Sequence, residues 1–266
     1  MEMTKYHGAG NDFLMVDGRN GVTVDTAPEA ISRLCDRHRG FGADGMIVLR
    51  DGDGYDFHMD YYNSDGSGGM MCGNGGRCTV AFAKDLGIAP SEGSKFVFSA
   101  ADGRHEGEVL EDNGDEKYIR IKMIDVKGVE LYPDGYFLNT GTRHFVRFVR
   151  NLDDFDVVGE GRRLRWDSRF APQGTNVNFV EVGLSDIRIR TFEKGVEDET
   201  QACGTGIVAS AMAAYVRGIR DSHYTVKTLR DTLAVDFTRV AGTEFSAVDV
   251  YLSGPAERIG TVNYCK

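Results

Sequence analysis

The sequence predicts an α+β protein of two pseudo-symmetric halves, each a curved, mostly antiparallel sheet or barrel around a central helix. Alternating, β-branched and aromatic segments dominate the chain and predict strands at 55–63, 95–100, 117–126, 176–182, 186–192 and 247–252. Helical patterns are fewer and lie at 28–38, 75–86 and 206–217. The two later helices each follow a Cys-Gly-x-Gly motif, and this repetition predicts the two halves.

The same order of predicted elements surrounds both motifs. Gly87 lies 15 positions after Cys72, and Gly218 lies 15 positions after Cys203. Each of these glycines is followed by Ile and stands where a helix C-cap is expected. A predicted strand that ends in an aromatic and a polar residue precedes each motif. We interpret the matching order and helix length as an internal duplication.

The duplication sets the expected domain organisation. The first half is predicted at residues 1–127 and carries Cys72, and the second is predicted at 128–254 and carries Cys203. The C-terminal strand, at about 255–266, is a candidate to return to the first half. The active site is expected in the cleft between the halves.

Composition narrows the classes of function. A net charge of −10 and a pI near 5.1 argue against a nucleic-acid-binding protein, which needs a basic face. The N-terminus shows no secretory pattern, and no apolar run approaches the roughly 20 residues of a membrane span. Five cysteines are an odd number and do not suggest a disulfide scaffold. Free thiols in the cytoplasm are therefore expected.

Cys72 and Cys203 occupy positions that favour reactive thiols over structural ones. A shared metal is not predicted, because Cys72 and Cys78 would lie about 120° apart around a helix and no Cys-x-x-Cys spacing accompanies them. Inert packing suits Cys35, Cys78 and Cys265. It suits Cys72 and Cys203 poorly, because each lies in a glycine-rich turn just before a helix.

A helix N-terminus presents unpaired N–H groups and a partial positive charge, which stabilise a thiolate and can bind a substrate carboxylate. One such site suits the nucleophile of a hydrolase or transferase. Two sites related by an internal repeat suit an acid and a base on opposite faces of one carbon atom. That arrangement predicts inversion of a stereocentre α to a carboxylate.

In these motifs the chain resembles the diaminopimelate epimerase family. The resemblance covers nearly the whole chain and rests on "KYHGAGNDF" (5–13), "CDRHRGFGADG" (35–45), "NSDGS" (63–67), "MCGNGGRC" (71–78), "TNVNFVEV" (175–182) and "EKGVEDETQACGTG" (193–206). The related proline-type racemases typically have His at the position of Asn74, so this residue favours the diaminopimelate enzymes.

The resemblance implies a cofactor-independent epimerase that interconverts LL- and meso-2,6-diaminopimelate in lysine and peptidoglycan precursor biosynthesis. Cys203 would remove the α-proton of the LL isomer, and Cys72 would protonate the opposite face. His144 and Glu193 would flank the two cysteines and assist proton handling. A small amino-acid substrate, no metal and a homodimer are implied. The implied substrate-binding residues are Asn11, Asn63, Gly73, Asn74, Asn176, Lys194, Gly204 and Thr205.

Two positions depart from the family pattern. Thr142 replaces the usual Asn, and Lys194 replaces the usual Arg, both where the non-reacting end of the substrate would bind. Arg143 is a candidate to compensate. Three alternatives remain at this point: an epimerase or racemase of the proline type on the same fold, a pyridoxal-phosphate-dependent racemase, and a non-catalytic amino-acid-binding protein with two structural cysteines.

Overall fold

The structure of the protein is a computed structural model that describes residues 1–68 and 72–264. Met70, Met71 and Cys265 therefore lie outside the described residues, and so does the prediction that Cys265 is an inert packing residue. The chain divides into two compact units, Met1–Ile121 with Gly254–Lys266, and Lys122–Ser253.

The first unit is a curved sheet that closes on itself around a helix. Its strands are β1 (Glu2–Gly8), β2 (Asn11–Asp17), β3 (Gly45–Arg50), β4 (Phe57–Asn63), β5 (Lys95–Ala100), β6 (Gly103–Asn113), β7 (Glu116–Lys122) and the later part of β16 (Ala247–Asn263). Its helices are α1 (Pro28–Cys35) and α2 (Gly73–Asp85). Each strand pairs with the next in that order, and β16 closes the ring by pairing with both β7 and β1. Helix α2 contacts five of these strands, and its residues 74–83 are buried.

The second unit repeats this order of elements. Its strands are β8 (Glu130–Tyr132), β9 (Gly135–Asn139), β10 (Arg143–Phe148), β11 (Asn176–Val182), β12 (Ile187–Glu193), β13 (Asp198–Thr200), β14 (His223–Lys227), β15 (Thr232–Arg239) and the beginning of β16. Its helices are α3 (Val157–Arg165) and α4 (Gly204–Arg217). The strand order is β8-β9-β10-β11-β12-β14-β15-β16, with β13 on β12. Helix α4 packs against β9 to β12, β14 and β15, and its residues 206–214 are buried.

The two units match in strand direction as well as in order. In the first unit β2–β3 and β4–β5 are parallel, and in the second β10–β11 and β12–β14 are parallel. The other named pairs of neighbouring strands are antiparallel. Parallel neighbours require a crossover connection, and in both units the two crossovers contain one α-helix each. The predicted fold class, two similar halves with a helix inside each sheet, is confirmed.

The ends of the central helices explain why the two motifs are followed by Gly-Ile. Gly87 and Gly218 have φ values of +74° and +114°, which a residue with a side chain rarely adopts. The N–H groups of Ile88 and Ile219 then reach back to carbonyl oxygens of the last helical turn, each at 3.0 Å. The helices begin at Gly73 and Gly204, two residues before the predicted starts, because each cysteine itself is the N-cap.

The division between the units falls after Ile121, six residues before the boundary predicted at 127. The reason is a change of partner: Met123 donates its N–H to the carbonyl of Val250 at 2.8 Å, and Val126 pairs with Ala247. The chain therefore joins the second unit as soon as β7 ends. Among the described residues, the helices are all too short or too polar to cross a bilayer.

Candidate active site

Cys72 is the N-cap of α2 and ends an extended stretch of backbone, with φ −107° and ψ 123°. Its carbonyl accepts the first helical hydrogen bond, from Gly76 at 2.7 Å. The thiol is half-buried and donates to the side-chain oxygen of Asn11 at 3.7 Å. Gly73 and Asn74 follow in the first turn, where N–H groups have no partner within the helix. The sulfur thus lies beside the positive end of the helix and beside a hydrogen-bond acceptor.

The amide of Asn11 is fixed in the orientation that presents its oxygen to the thiol. Its nitrogen donates to the Asp44 carboxylate at 2.7 Å, and a carboxylate can only accept. Its oxygen also accepts from the side-chain nitrogen of Asn74 at 3.4 Å. The oxygen of Asn74 in turn accepts from buried Arg77 at 3.0 Å. The predicted site residues Asn11, Cys72 and Asn74 are therefore brought together by the structure.

A charged layer supports Asn11 from behind. Arg37 bridges Asp12 and Asp44 at 2.7 and 2.8 Å, and Lys5 lies 2.9 Å from Asp12. Burial by itself would raise the pKa of Asp12, but the hydrogen bonds from Arg37 and Lys5 outweigh it and lower that pKa to about 2. The sequence motifs contain these residues, yet their role as supports of Asn11 was not predicted.

Asn63 ends β4, the strand before the Cys72 motif. Its side-chain oxygen accepts from the Tyr61 hydroxyl at 2.7 Å, and its nitrogen donates to Ser67 at 2.9 Å. These bonds hold the half-buried amide within its own hairpin rather than to the Asn11–Asn74 pair. Its predicted role as a substrate-binding residue is not tested by these contacts.

Cys203 is the N-cap of α4, with φ −115° and ψ 107°, and is 8% exposed. Gly204 and Thr205 form the first turn. The Cys203 sulfur lies 3.6 Å from the Thr205 hydroxyl oxygen, and the main-chain carbonyl of Thr205 accepts from the Thr140 hydroxyl at 2.8 Å. This thiol faces a hydroxyl group, whereas Cys72 faces an amide oxygen.

His144 is fully buried beneath Thr205. Its Nε2 lies 2.9 Å from the hydroxyls of both Thr205 and Thr142, and these hydroxyls lie 3.1 Å apart. Its Nδ1 lies 3.0 Å from the side-chain nitrogen of Asn178, a buried residue that the sequence reasoning missed. Burial lowers the pKa of His144 to about 3, so the imidazole is neutral at physiological pH. Its role in proton handling would then be that of a hydrogen-bond donor.

Asn176 begins β11 and uses both ends of its amide within the protein. Its nitrogen donates to the main-chain oxygen of Arg143 at 3.0 Å and to the Thr142 hydroxyl at 3.3 Å. Its oxygen accepts from the main-chain N–H of Lys194 at 2.8 Å. The Arg143 guanidinium donates to the Gln173 side chain at 2.6 Å, and its compensation for the missing Asn at 142 stays a prediction.

Glu193 ends β12 and is the counterpart of Asn63 at the end of β4. Its carboxylate accepts from the Thr200 hydroxyl at 2.9 Å. Burial raises the pKa of Glu193 above its usual value. A carboxyl group with a raised pKa can exchange a proton nearer to neutral pH, as an acid–base residue does.

The two remaining cysteines of the described residues are inert by their surroundings. Burial raises the pKa of Cys35 to about 11 and that of Cys78 to about 12, so both stay protonated at neutral pH. Neither begins a helix. Within the described part of the chain, the cysteines that cap a helix are therefore Cys72 and Cys203.

Comparison with models of known protein families matches the sequence of this chain to one family. The model of the family described as diaminopimelate epimerase matches residues 3–126 and 136–259, which together include both cysteine motifs. A diaminopimelate epimerase of Flavobacterium psychrophilum is 42% identical over 259 residues, with 97% of each chain covered. This identity extends over both units.

Solved structures show the same fold at much lower identity. A phenazine biosynthesis protein of the PhzF family from Bacillus anthracis has a TM-score of 0.72 at 15% identity, covering 100% of this chain and 99% of that one. A probable proline racemase from Agrobacterium radiobacter has a TM-score of 0.69 at 15% identity, covering 99% and 92%. These likenesses concern the fold alone, whereas the sequence match is specific: the chain belongs to the diaminopimelate epimerase family.

Proposed function

We propose that the protein interconverts LL- and meso-2,6-diaminopimelate without a cofactor, with Cys72 and Cys203 as its acid–base pair. The observation that carries the proposal is the matching position of the two thiols, each the N-cap of the central helix of its unit, in a chain of this family. The metabolic role is lysine and peptidoglycan precursor biosynthesis.

Inversion at the α-carbon needs a base on one face and an acid on the other. A thiol has a reference pKa near 8.5, and the N-terminus of a helix lowers it toward neutral pH. The first-turn N–H groups of Gly73-Asn74 and Gly204-Thr205 would bind the reacting carboxylate and stabilise the enolate-like charge that develops on it. Since these groups are all supplied by the chain, no cofactor is required.

The residues around the two cysteines suit proton handling and substrate binding. His144 would contribute as a neutral donor, and Glu193, with its raised pKa, would exchange protons beside the cysteines. Asn11, Asn63, Asn176 and Lys194 would bind the amino and carboxylate groups of the substrate. We place the enzyme in the cytoplasm, where a reducing environment keeps both thiols free, and expect a homodimer.

The test is incubation of the purified protein with LL-diaminopimelate in heavy water. The expected product is the meso isomer with deuterium at the inverted carbon, since the returning proton comes from a thiol that exchanges with solvent. L-Proline and L-hydroxyproline serve as control substrates and should remain unchanged. Absence of inversion and of exchange with LL-diaminopimelate would contradict the proposal and favour a binding protein, whereas an absorbance band of bound pyridoxal phosphate would favour the cofactor-dependent class. Light scattering of the same sample tests the dimer.

A further inference from the structure

Asn176 and Asn178 lie two positions apart on β11, so their side chains point to the same face of the sheet. Each amide is fixed in one orientation by the main chain. For Asn178, the side-chain nitrogen donates to the carbonyl oxygen of Phe145 at 3.4 Å, and a carbonyl can only accept. Its oxygen accepts from the Thr191 hydroxyl at 3.0 Å. The nitrogen that faces His144 is therefore a donor.

The orientation of Asn178 fixes the tautomer of His144. Because the Asn178 nitrogen donates at 3.0 Å, the imidazole Nδ1 must accept and carries no proton. The one proton of the neutral ring then resides on Nε2, which lies 2.9 Å from the hydroxyl oxygens of Thr142 and Thr205. Both hydroxyls consequently act as acceptors toward the ring.

A second chain of hydrogen bonds ends on the same hydroxyl. The Asn176 nitrogen donates to the Thr142 oxygen at 3.3 Å, which leaves the Thr142 hydrogen to donate to the Thr205 oxygen at 3.1 Å. The Thr205 oxygen thus accepts from two sides. Its own hydrogen is left to point at the Cys203 sulfur, 3.6 Å away.

We propose that Asn178 is a positioning residue for the epimerisation: it holds His144 in the Nε2–H tautomer and thereby directs the Thr205 hydroxyl hydrogen at Cys203. A hydrogen bond donated to sulfur stabilises the thiolate relative to the thiol, so the network favours the form of Cys203 that removes a proton. The use of that thiolate in catalysis rests on the proposed function. The direction of the hydrogen bonds does not.

The packing around Asn178 leaves little room for another arrangement. The residue is fully buried, and a methyl group added at Gly206, in the first turn of α4, would lie 2.3 Å from the Asn178 oxygen. The glycine of the Cys-Gly-x-Gly motif therefore admits the asparagine beneath the helix. Thr142, the departure from the family pattern, takes part in the same network as a hydroxyl relay.

The first arm of the test is nitrogen NMR of histidine-labelled protein, with the His144 signals identified by their loss in His144→Gln. We expect the proton on Nε2 and a bare Nδ1 in the wild type from pH 6 to pH 8. Asn178→Leu, of similar volume, should populate both tautomers. The matched control is Thr191→Val, which removes the bond to the other end of the Asn178 amide and should leave the tautomer unchanged.

The second arm measures the pH dependence of Cys203 alkylation by iodoacetamide in a Cys72→Ala background. Thr205→Val removes the donating hydroxyl and should slow alkylation at neutral pH about tenfold, equal to a rise of one unit in the thiol pKa. Thr205→Ser retains the hydroxyl and should react as the wild type does. Asn178→Leu should react at a rate between those of these two variants.

A protonated Nδ1 in wild-type His144, or equal alkylation rates for Thr205→Val and Thr205→Ser, would overturn the proposal. If Asn178→Leu does not fold, the wild-type tautomer and the Thr205 pair still decide. Neither arm requires diaminopimelate. Failure to epimerise it with the expected tautomer and thiol reactivity would count against the proposed function alone.

Discussion

Cys72 and Cys203 each lie at the N-terminus of the central helix of their unit, but the side chains that contact the two sulfur atoms differ. Cys72 donates to the Asn11 oxygen, and that amide is held by a carboxylate in a charged layer. Cys203 faces the Thr205 hydroxyl, which belongs to an uncharged network of threonine, histidine and asparagine side chains. An acceptor beside a sulfur stabilises the thiol, and a donor stabilises the thiolate.

This difference leads us to expect opposite resting protonation states for two cysteines that lie in similar sequence motifs. In the proposed reaction from the LL isomer, Cys72 would therefore give a proton and Cys203 would take one. This agrees with the direction implied by the family resemblance, in which Cys203 removes the α-proton of the LL isomer. The duplicated fold provides two similar helix ends, and under the proposed function the different neighbours of the two sulfur atoms would favour an acid at Cys72 and a base at Cys203.

The largest effect on the rate of epimerisation is expected when either Cys72 or Cys203 is replaced. Cys72→Ala and Cys203→Ala should each lower the rate of epimerisation about 10³-fold or more, because a site with one acid–base group cannot complete the inversion. Cys78→Ala is the matched control, since this buried thiol of α2 stays protonated, and its kcat should remain near that of the wild type. Retention of near-wild-type activity in either of the first two variants would remove that cysteine from the mechanism.

The glycines at the third position after each cysteine, Gly75 and Gly206, should differ in their tolerance of an added methyl group. An added methyl at Gly206 lies 2.3 Å from the fixed Asn178 oxygen, so Gly206→Ala should cost about 1–3 kcal/mol of stability and most of the activity. An added methyl at Gly75 meets the flexible ends of Ile47 and Met59 at 3.0 and 3.2 Å. Gly75→Ala should therefore be nearly neutral, since helix propensity offsets the crowding. Urea unfolding and kcat for both variants provide the check, and equal effects would contradict the account.

The two regions should also differ in their response to acid. The pKa of His144 is lowered from 6.5 to about 3, so the unfolded chain binds more protons between these values, and stability falls as the pH falls through this window. The loss at pH 5 is about 2 kcal/mol. Asp12, whose pKa is lowered from 3.8 to about 2, contributes stability that is present above about pH 4 and lost below it.

Urea unfolding at pH 8 and pH 5, followed by the fluorescence of Trp166 in the second unit, tests this difference. The loss of stability between the two pH values should shrink by about 2 kcal/mol in His144→Gln. Asp12→Asn should keep the wild-type loss over the same interval. An unchanged loss in His144→Gln would mean that the buried imidazole is not the group that makes the second unit sensitive to acid.

The smallest effect is expected on KM when Lys194 is replaced by Arg, the residue that the family usually has at this position. Arginine binds a carboxylate through two parallel hydrogen bonds, whereas lysine presents one charged point. Lys194→Arg should therefore lower KM about threefold to tenfold with kcat within twofold. Lys227→Arg, at a salt bridge with Asp186 on the second unit, is the control and should change neither constant. A higher KM in Lys194→Arg would show that this chain has adapted its site to lysine.

Much of the fold could be predicted from the sequence, because the repeated segments contain residues with strong preferences for particular backbone conformations. The spacing from Cys72 to Gly87 and from Cys203 to Gly218 marks helix ends through backbone conformation, and the structure places the ends there. The pairing of Met123 with Val250 and the full length of β16 were not predicted, since strand pairing depends on residues that lie far apart in the chain.

The site was predicted to the level of its motifs and no further. The structure brings Cys72, Asn11 and Asn74 together, and the roles that the family resemblance implies for them stay predictions. The supporting roles of Asp44 and Asn178 were not predicted. Asp44 lies just before β3, and its contact with Asn11 joins residues that are 33 positions apart in the chain. Asn178 is a buried polar residue on a strand, and such a residue looks the same in sequence whether or not it orients a neighbour. One signal was available for Asn178: it alternates with Asn176 along β11, and two polar side chains directed into a core require partners there.

Stereospecific hydrogen exchange in the two single-cysteine variants tests most directly whether Cys203 is the base and Cys72 the acid for the LL isomer. We expect Cys72→Ala, which retains Cys203, to incorporate deuterium from heavy water into the α-position of LL-diaminopimelate without inverting it. Cys203→Ala should instead exchange the meso isomer. Exchange of the meso isomer by Cys72→Ala, and of the LL isomer by Cys203→Ala, would reverse the assignment of acid and base and contradict the account.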